Sequence, residues 1–325
     1  MLFIYNESTD PYFNLAAEEF LIKNMQEEIF MLWQNHETIV IGRNQNTMGE
    51  INYDYVKEHD IRVVRRMSGG GAVFHDMGNI NFTFIVNSED DFSNYQRFTE
   101  PVISFLQSFG VDAQLKGRND LVIGDKKISG NAQYMYKKRI LHHGTLLYDA
   151  DHDTLSAALK VAPDKIKSKG IQSVRSRVTN ISEHMQDKVS SVEFIRQFAD
   201  FMVKNNRNCQ YYDLNRHKRE IEKLRDEKYA TWAWNFGYSP QYAYHRQKRY
   251  PFGTVEVQMD IGRESVIQDC RFYGDFFSKE HPEKLADKLK GVRHEWQAVE
   301  EILSSENVSL YIQGMSREEL IELLF

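Results

Sequence analysis

The chain has 325 residues, of which 41% are hydrophobic and 27% are charged, an ordinary mixture for a globular protein that can bury more than one core. Its net charge of −6 gives no long-range attraction to nucleic acid, and no apolar run is long enough to span a bilayer. The start shows no signal-peptide pattern, and Cys209 and Cys270 are too far apart in sequence to suggest a disulfide framework or a metal knuckle. We therefore expect a cytoplasmic protein with two reduced thiols.

The first elements in chain order are a helix and three strands. Phe13, Ala16, Ala17, Phe20 and Leu21 recur at helical spacing, which predicts a helix that packs one stripe against a sheet. The short apolar runs "IFMLW" and "TIVIG" predict two strands. A third run, "IRVVRR", leads directly into three consecutive glycines.

Strands and helices alternate beyond the glycines. Alternating apolar residues over 80–86 predict a strand, and the next helix should end at Gly110. The segment "LVIGDKKIS" predicts a hairpin that turns at Gly124-Asp125, and "ILHHGTLLYD" predicts a strand. Ser190 and Glu193 form a capping-box pattern before a further helix.

The composition changes near residues 236–252, which are aromatic and polar and lack aliphatic periodicity. Two strands, "GTVEVQMDI" and "SVIQDCRFY", and helical segments follow. We therefore predict an α+β protein with a large domain over residues 1–245 and a small α+β domain over residues 246–325.

The stretch "RRMSGGGAVFHDMGNINFTF", residues 65–84, is the first candidate site. Glycine loses more conformational entropy on folding than any other residue, so three consecutive glycines indicate a specific requirement at this place. Without side chains the backbone can approach a ligand closely, and its N–H groups can form an anion-binding concavity. Arg66 can add a planar, permanently charged fork for phosphate or carboxylate oxygens. These features favour a ligand that carries phosphate.

The common nucleotide and hydrolase motifs are absent: the chain has no G-x-x-x-x-G-K-[ST], no G-x-G-x-x-G that opens a helix and no G-x-S-x-G. Three further polar clusters stand out, "GRNDLVIGDKKISGNAQ", "HHGTLL" and "KGIQSVRSRVTN". His75, His142 and His143 lack metal-site spacing, so we interpret them as hydrogen-bonded strand residues.

Taken together, these motifs and "WAWNFG" resemble the lipoate–protein ligases, relatives of the biotin–protein ligases, and the resemblance covers the whole chain. It implies an α+β catalytic domain of biotin/lipoate ligase type, distantly similar to class II aminoacyl-tRNA synthetases. It also implies a two-step reaction in which lipoate and ATP give lipoyl-AMP and pyrophosphate. The acyl group then passes to a lysine of an acceptor, which in the family is an E2 lipoyl domain of a 2-oxoacid dehydrogenase or the glycine-cleavage H protein.

The resemblance also implies roles for particular residues. Lys127, which precedes "ISG", would contact both substrates and act in catalysis, and Asp120 would be a ligand of Mg²⁺. The expected contacts with ATP and lipoate are Arg66, Ser68, Gly69, Gly70, Gly71, Ala72, Val73, Phe74, His75, Asn79 and Lys127. The expected adenylate-binding loop comprises Ser173, Arg175, Arg177, Val178 and Thr179.

Three alternatives stay open at this point. An octanoyl- or lipoyl-transferase of the same fold would need a nucleophilic cysteine, and neither cysteine lies in a motif. A non-catalytic lipoyl-domain binding protein would have no need for the set of Arg66, Gly71 and Lys127. A biotin ligase would carry its arginine and glycines in a different order.

Overall fold

The computed structural model describes residues 1–45, 47–159, 177–206, 208–236, 244–262, 266–294 and 296–325. Its strands are β1 (Leu2–Asn6), β2 (Ile29–Trp33), β3 (Thr38–Ile41), β4 (Arg62–Arg65), β5 (Val73–His75), β6 (Asn79–Val86), β7 (Ala113–Lys116), β8 (Asp120–Ile123), β9 (Lys126–Tyr136), β10 (Arg139–Leu147), β11 (Gln210–Tyr211), β12 (Tyr244–Tyr250), β13 (Gly253–Ile261) and β14 (Ile267–Gly274).

The α-helices are α1 (Pro11–Asn24), α2 (Thr47–Glu50), α3 (Tyr53–Glu58), α4 (Tyr95–Gln107), α5 (His152–Ala158), α6 (Ser191–Asn205), α7 (Lys218–Leu224), α8 (Trp232–Asn235), α9 (Pro282–Leu289), α10 (Trp296–Leu303), α11 (Val308–Tyr311) and α12 (Arg317–Leu324). Short 3₁₀ turns lie at Ile181–His184 and Leu214–His217, and a π-helical turn lies at Arg225–Tyr229.

A large mixed sheet forms the centre of the fold, in the order β11-β1-β2-β6-β10-β9-β8-β7. Strand β1 pairs in parallel with β2 and β11, and the other neighbours pair antiparallel. Because side chains alternate along a strand, the two faces of this sheet pack into different hydrophobic cores. Phe30 and Phe84 join the cluster that contains α4 and α6, whereas Met31 and Ile85 join the cluster that contains α1.

Helix α1 is the layer between this sheet and the second one. Asp10 caps its first turn by accepting a hydrogen bond from the Tyr12 amide at 3.2 Å, and Pro11 occupies the first helical position. The second sheet has the order β4-β3-β5, with β4 parallel and β5 antiparallel to β3. The glycine run therefore connects the two outer strands of this small sheet.

The C-terminal part has its own core. Strands β12, β13 and β14 form an antiparallel sheet, and the side chains of α9, α10, α11 and α12 complete a separate hydrophobic cluster with it. This part contacts the glycine run directly, because the amide of Gly70 donates to the carbonyl of Phe276 at 3.4 Å. In addition, the guanidinium of Arg118 lies 4.2 Å from the ring centre of Phe277.

The α+β class and most predicted elements are confirmed, including the strands at "IFMLW", "TIVIG" and 80–86. Gly124 turns the predicted hairpin with a φ of +60°, and Gly110 follows α4 with a φ of +75°. The capping box at α6 is only half formed, because Glu193 turns its carboxylate to Arg196 and Gln197.

The predicted domain boundary after residue 245 stays a prediction, and β12 extends across it. Among the described residues we find no helix with both the length and the apolar character needed to cross a bilayer.

Candidate active site

A cavity of about 130 Å³ lies between the glycine run, α1 and the strands β2, β6, β9 and β10. The predicted residues that line it are Arg66, Gly70, Gly71, Ala72, Val73, His75 and Lys127. The structure adds Leu15, Trp33, Val40, Asn81, Asn119, Gly130, Asn131, Ala132, His143, Gly144 and Thr145. The structure thus brings three of the predicted motifs together around one cavity.

The three consecutive glycines serve three different purposes. A Cβ on Gly69 would lie 2.3 Å from the carbonyl oxygen of Phe276, so this position allows the C-terminal part to approach. Gly70 has a φ of +95°, a conformation that other residues rarely adopt. At Gly71, which lines the cavity, the nearest atom to an added Cβ is the Cβ of Asp275 at 3.8 Å, so this position has room beside it.

Arg66 holds the glycine run in shape. Its Nη2 donates to the carbonyls of Gly69 at 2.7 Å and Gly71 at 2.8 Å, and its Nη1 donates to Val40 at 3.1 Å. Its Nε donates to the hydroxyl of Ser68 at 3.1 Å. Most of its five donors are therefore used within the protein, whereas the sequence suggested a fork that is free to bind anions. Burial lowers the pKa of Arg66 to about 10, which still leaves it charged at neutral pH.

The preceding arginine, Arg65, is fully buried and ties distant segments together. Its backbone amide donates to the side chain of Asn235 at 2.9 Å, and its carbonyl accepts from the indole of Trp234 at 2.8 Å. Its guanidinium donates to the carbonyls of Gly42, Arg43, Gln45, Trp234 and Asn235 and to the hydroxyl of Thr47. Trp234 and Asn235 of the "WNFG" motif are thus structural partners of Arg65.

A buried hydrogen-bond chain runs along the inner wall of the cavity. The hydroxyl of Ser68 lies 2.6 Å from Nε2 of His143, and Nδ1 of the same ring lies 3.0 Å from the Glu18 carboxylate. Thr83 donates to Glu18 at 2.6 Å, and the Trp33 indole donates to Thr83 at 2.9 Å. The interpretation of His143 as a hydrogen-bonded strand residue is confirmed, and the chain fixes the positions of the wall residues Trp33 and His143.

Lys127 lies on β9 at the outer end of the cavity, with its side chain 37% exposed. Its Nζ lies 2.7 Å from the Asp120 carboxylate. The absence of a side chain at Gly130 gives it room, since a Cβ there would lie 3.0 Å from Nζ. The backbone of Lys127 pairs with the predicted loop, because its amide donates to the carbonyl of Arg177 at 2.7 Å.

Val178 and Thr179, at the end of that predicted loop, are among the described residues. Val178 bridges Lys127 in parallel, and Thr179 donates its amide to the Lys127 carbonyl at 3.1 Å. Ser173 and Arg175 lie outside the described residues. The described end of the loop thus runs alongside the strand that carries Lys127.

Some predicted residues do not line the cavity. Phe74 lies between Val73 and His75 on β5, so it points to the opposite face and joins the core of the small sheet. Asn79 is buried and donates to the Asn81 side chain at 3.0 Å. Ser68 and Gly69 lie behind the lining residues, where Ser68 contacts Arg66 and His143.

Sequence reasoning missed Trp33, Asn81 and Thr145, which line the cavity from the large sheet. Asn81 lies opposite both Trp33 and Thr145 in the strand register. A polar residue within the apolar alternation of β6 was the available signal for Asn81. For Trp33 no local signal existed, because a tryptophan in an apolar strand is typical of core packing.

Comparison with known proteins gives the family. Residues 10–203 match the family described as "Lipoyl protein ligase A/B catalytic domain", and residues 239–324 match "Bacterial lipoate protein ligase C-terminus". The chain is 42% identical to "Lipoate-protein ligase LplJ" of Bacillus subtilis and 43% identical to "Lipoate--protein ligase 1" of Staphylococcus aureus, each over 100% of both chains.

Solved structures agree with the sequence comparison. Plasmodium falciparum LipL1, solved in complex with lipoate, has a TM-score of 0.77 and 28% identity, with 99% of this chain and 97% of that chain covered. A lipoate-protein ligase A bound with ATP has a TM-score of 0.61 and 28% identity over 73% and 98% of the chains.

A third structure, from Thermoplasma acidophilum, is a bi-partite lipoate protein ligase studied with its E2 lipoyl domain. It has a TM-score of 0.63 and 29% identity, over 74% of this chain and 98% of that chain. With two family matches that together span most of its length, and full-length relatives above 40% identity, the chain belongs to the lipoate–protein ligase family.

Proposed function

We propose that the cavity beside Lys127 is where this ligase joins lipoate to AMP. A carboxylate oxygen of lipoate attacks the α-phosphorus of ATP, the bond to the β-phosphate oxygen breaks, and pyrophosphate leaves. The ε-amine of an acceptor lysine then attacks the acyl carbon, loses a proton and releases AMP. One observation carries this proposal: the half-exposed ammonium group of Lys127 lines a cavity whose walls include apolar side chains.

Lys127 supplies the fixed positive charge that the first step needs. Two anions must approach each other, and a preorganised cation near the developing charge lowers that barrier. The Nζ group can turn from Asp120 toward the substrates, because both side chains are more than one third exposed. Arg66 contributes through its charge and through the shape it gives to the glycine run.

Mg²⁺ would enter with ATP as part of the substrate. Among the described residues we find no group of three side chains that could hold a metal, and no carboxylate lines the cavity. We propose that Mg²⁺ is held mainly by phosphate oxygens of ATP and by water, with few protein ligands. Asp120 is the proposed protein ligand, and it would have to share or release its contact with Lys127.

We further propose that the acceptors are apo lipoyl proteins, namely E2 lipoyl domains or the glycine-cleavage H protein, and that the enzyme works in the cytoplasm without nucleic acid or membrane partners. The support for the acceptor class is the Thermoplasma acidophilum ligase described together with its E2 lipoyl domain.

The cysteine-dependent transferase alternative lacks support from the geometry. Neither Cys209 nor Cys270 lines the cavity. Burial raises the pKa of both thiols, which disfavours the thiolate that such a mechanism requires.

The proposal is tested by incubating the protein with ATP, Mg²⁺, lipoate and purified apo acceptor domains. We expect pyrophosphate release that depends on lipoate, and an acceptor whose mass increases by one lipoyl group. A matched acceptor with its target lysine replaced by arginine should stay unmodified. Lipoylation without ATP, or pyrophosphate release that is independent of lipoate, would contradict the proposal.

Replacing Gly71 with valine should prevent lipoate binding. Because Gly71 lines the cavity, the added methyl groups should reduce the room for the ligand, whereas the fold should tolerate them because the nearest atom lies 3.8 Å from the Cβ position. We expect lipoate affinity to fall by more than about tenfold, the effect of losing a few apolar contacts and gaining a clash. Calorimetry measures the affinity and thermal unfolding checks the fold, with Gly71→Ala as the smaller matched change. Unchanged affinity in Gly71→Val would place the ligand elsewhere.

A further inference from the structure

Two polar side chains in the cavity wall end in atoms without a hydrogen-bond partner among the described residues. They are Nε2 of His75 and the Nδ2 end of the Asn81 amide. His75 is 3% exposed and Asn81 is 1% exposed, and both line the cavity. Buried polar groups in folded proteins are almost always paired, so unpaired atoms on two residues that line a cavity indicate that a ligand supplies the missing partner.

Neighbouring side chains determine which nitrogen of His75 carries the proton. The amide nitrogen of Asn14 donates to the carbonyls of Ser8 at 2.9 Å and Gln34 at 2.8 Å, which identifies it as the nitrogen. It also donates at 2.8 Å to Asn35, whose contacting atom must therefore be the oxygen.

The orientation of Asn35 then fixes the histidine. Its amide nitrogen faces Nδ1 of His75 at 3.0 Å and donates to it. Burial lowers the pKa of His75 to about 3, so the ring is neutral and its single proton is on Nε2. His75, a residue of the cavity lining, thus carries an unpaired N–H donor, and this donor keeps the same form over the whole neutral pH range.

This donor lies deeper than the reacting end. Lys127 is more than one third exposed, whereas His75 is buried and its ring centre lies 6.2 Å from that of Trp33. Asn81 lies opposite Trp33 in the strand register. An acyl chain whose carboxylate is at Lys127 would therefore bring its far end toward Trp33, His75 and Asn81.

We propose that His75 Nε2–H selects an acyl chain with sulfur at its far end over a plain hydrocarbon chain of similar length. This inference rests on the proposed function, because it assumes that the acyl chain enters this cavity. A dithiolane sulfur can accept a weak hydrogen bond and makes favourable contacts with an aromatic ring such as Trp33. A hydrocarbon tail offers no acceptor and leaves the buried N–H unpaired, which is costly.

The first test uses the unaltered protein and measures dissociation constants by calorimetry. The ligands are lipoate, octanoate and a pentanoate with a terminal cyclopentane ring, which copies the ring of lipoate without its sulfurs. We expect lipoate to bind about tenfold more tightly than the cyclopentane analogue, the size of effect that one unpaired buried donor produces. Equal affinities would overturn the inference, since ring shape alone would then account for selection.

The second test compares His75→Leu with His75→Gln, whose amide nitrogen can reach the place of Nε2. We expect the leucine variant to lose the preference for lipoate over the cyclopentane analogue by weakening lipoate alone, and the glutamine variant to keep it. An equal loss for both ligands in His75→Leu would assign His75 a structural role and refute the inference, with thermal unfolding as the check on folding. Because binding is measured without turnover, a failure of selection is distinct from a failure of lipoate-dependent pyrophosphate release, which would refute the proposed function instead.

Discussion

Replacing Lys127 with alanine is expected to lower the rate of lipoyl-adenylate formation by about a thousandfold, the effect of removing one preorganised charged contact to a transition state. The fold should be unchanged, because Lys127 and its partner Asp120 are both more than one third exposed and such ion pairs add little stability. Single-turnover release of pyrophosphate from ATP and lipoate measures the rate.

Lys126→Ala is the matched control. Lys126 is the adjacent residue on β9 but is exposed and lies outside the cavity lining, so adenylation in this variant should equal that of the unaltered protein. A Lys127→Ala protein that forms the adenylate at the normal rate would remove Lys127 from the mechanism. Equal losses in both variants would indicate a general effect of charge on this strand.

Replacing Arg65 with methionine is expected to lower the free energy of unfolding by about 4 kcal/mol, near the upper end for a single substitution. The side chain is fully buried, and its guanidinium donates to carbonyls of the 42–45 and 234–235 segments. Methionine fills a similar volume but leaves these buried acceptors without their donor, at a cost of about 1–3 kcal/mol for each unpaired group. Urea denaturation measures the change.

Arg62→Met provides the comparison on the same strand, β4. Arg62 is about half exposed and pairs with Asp10 at 3.2 Å, so its replacement should cost less than about 1 kcal/mol. If the two substitutions had similar effects, the buried network around Arg65 would not be a major source of stability.

The sequence predicted the fold class and the strands because their signals are local. Alternation over 80–86 and the short apolar runs "IFMLW" and "TIVIG" depend only on neighbouring residues, and the structure has strands at all three places. The glycine run was interpreted as a place where the backbone approaches a ligand, which stays a prediction, and the structure shows that Gly69 allows the close approach of Phe276 of the C-terminal part. That contact is not visible from the local sequence, since more than 200 residues separate the two segments.

The two arginines show a second limit. From the sequence we expected the guanidinium of Arg66 to be free to bind anions, and we assigned no role to Arg65. In the structure Arg65 makes more hydrogen bonds than Arg66, and Arg66 donates mainly within its own loop. An arginine beside glycines can bind a ligand or bind the exposed backbone carbonyls, and only the three-dimensional arrangement distinguishes the two. Phe74 was misplaced for a simpler reason, since the motif was treated as a unit although alternate residues of β5 face opposite sides.

The separate core of the C-terminal part has a consequence for how such enzymes can be assembled. Strands β12–β14 and their helices bury their own apolar side chains, and they meet the glycine run through contacts such as that of Gly70 with Phe276. When the catalytic part and the C-terminal part lie on one polypeptide, each is present at a high effective concentration near the other, so their association does not depend on the protein concentration. Encoded as two polypeptides, the same halves would need a bimolecular encounter, so the amount of competent enzyme would rise with the square of expression at low protein levels.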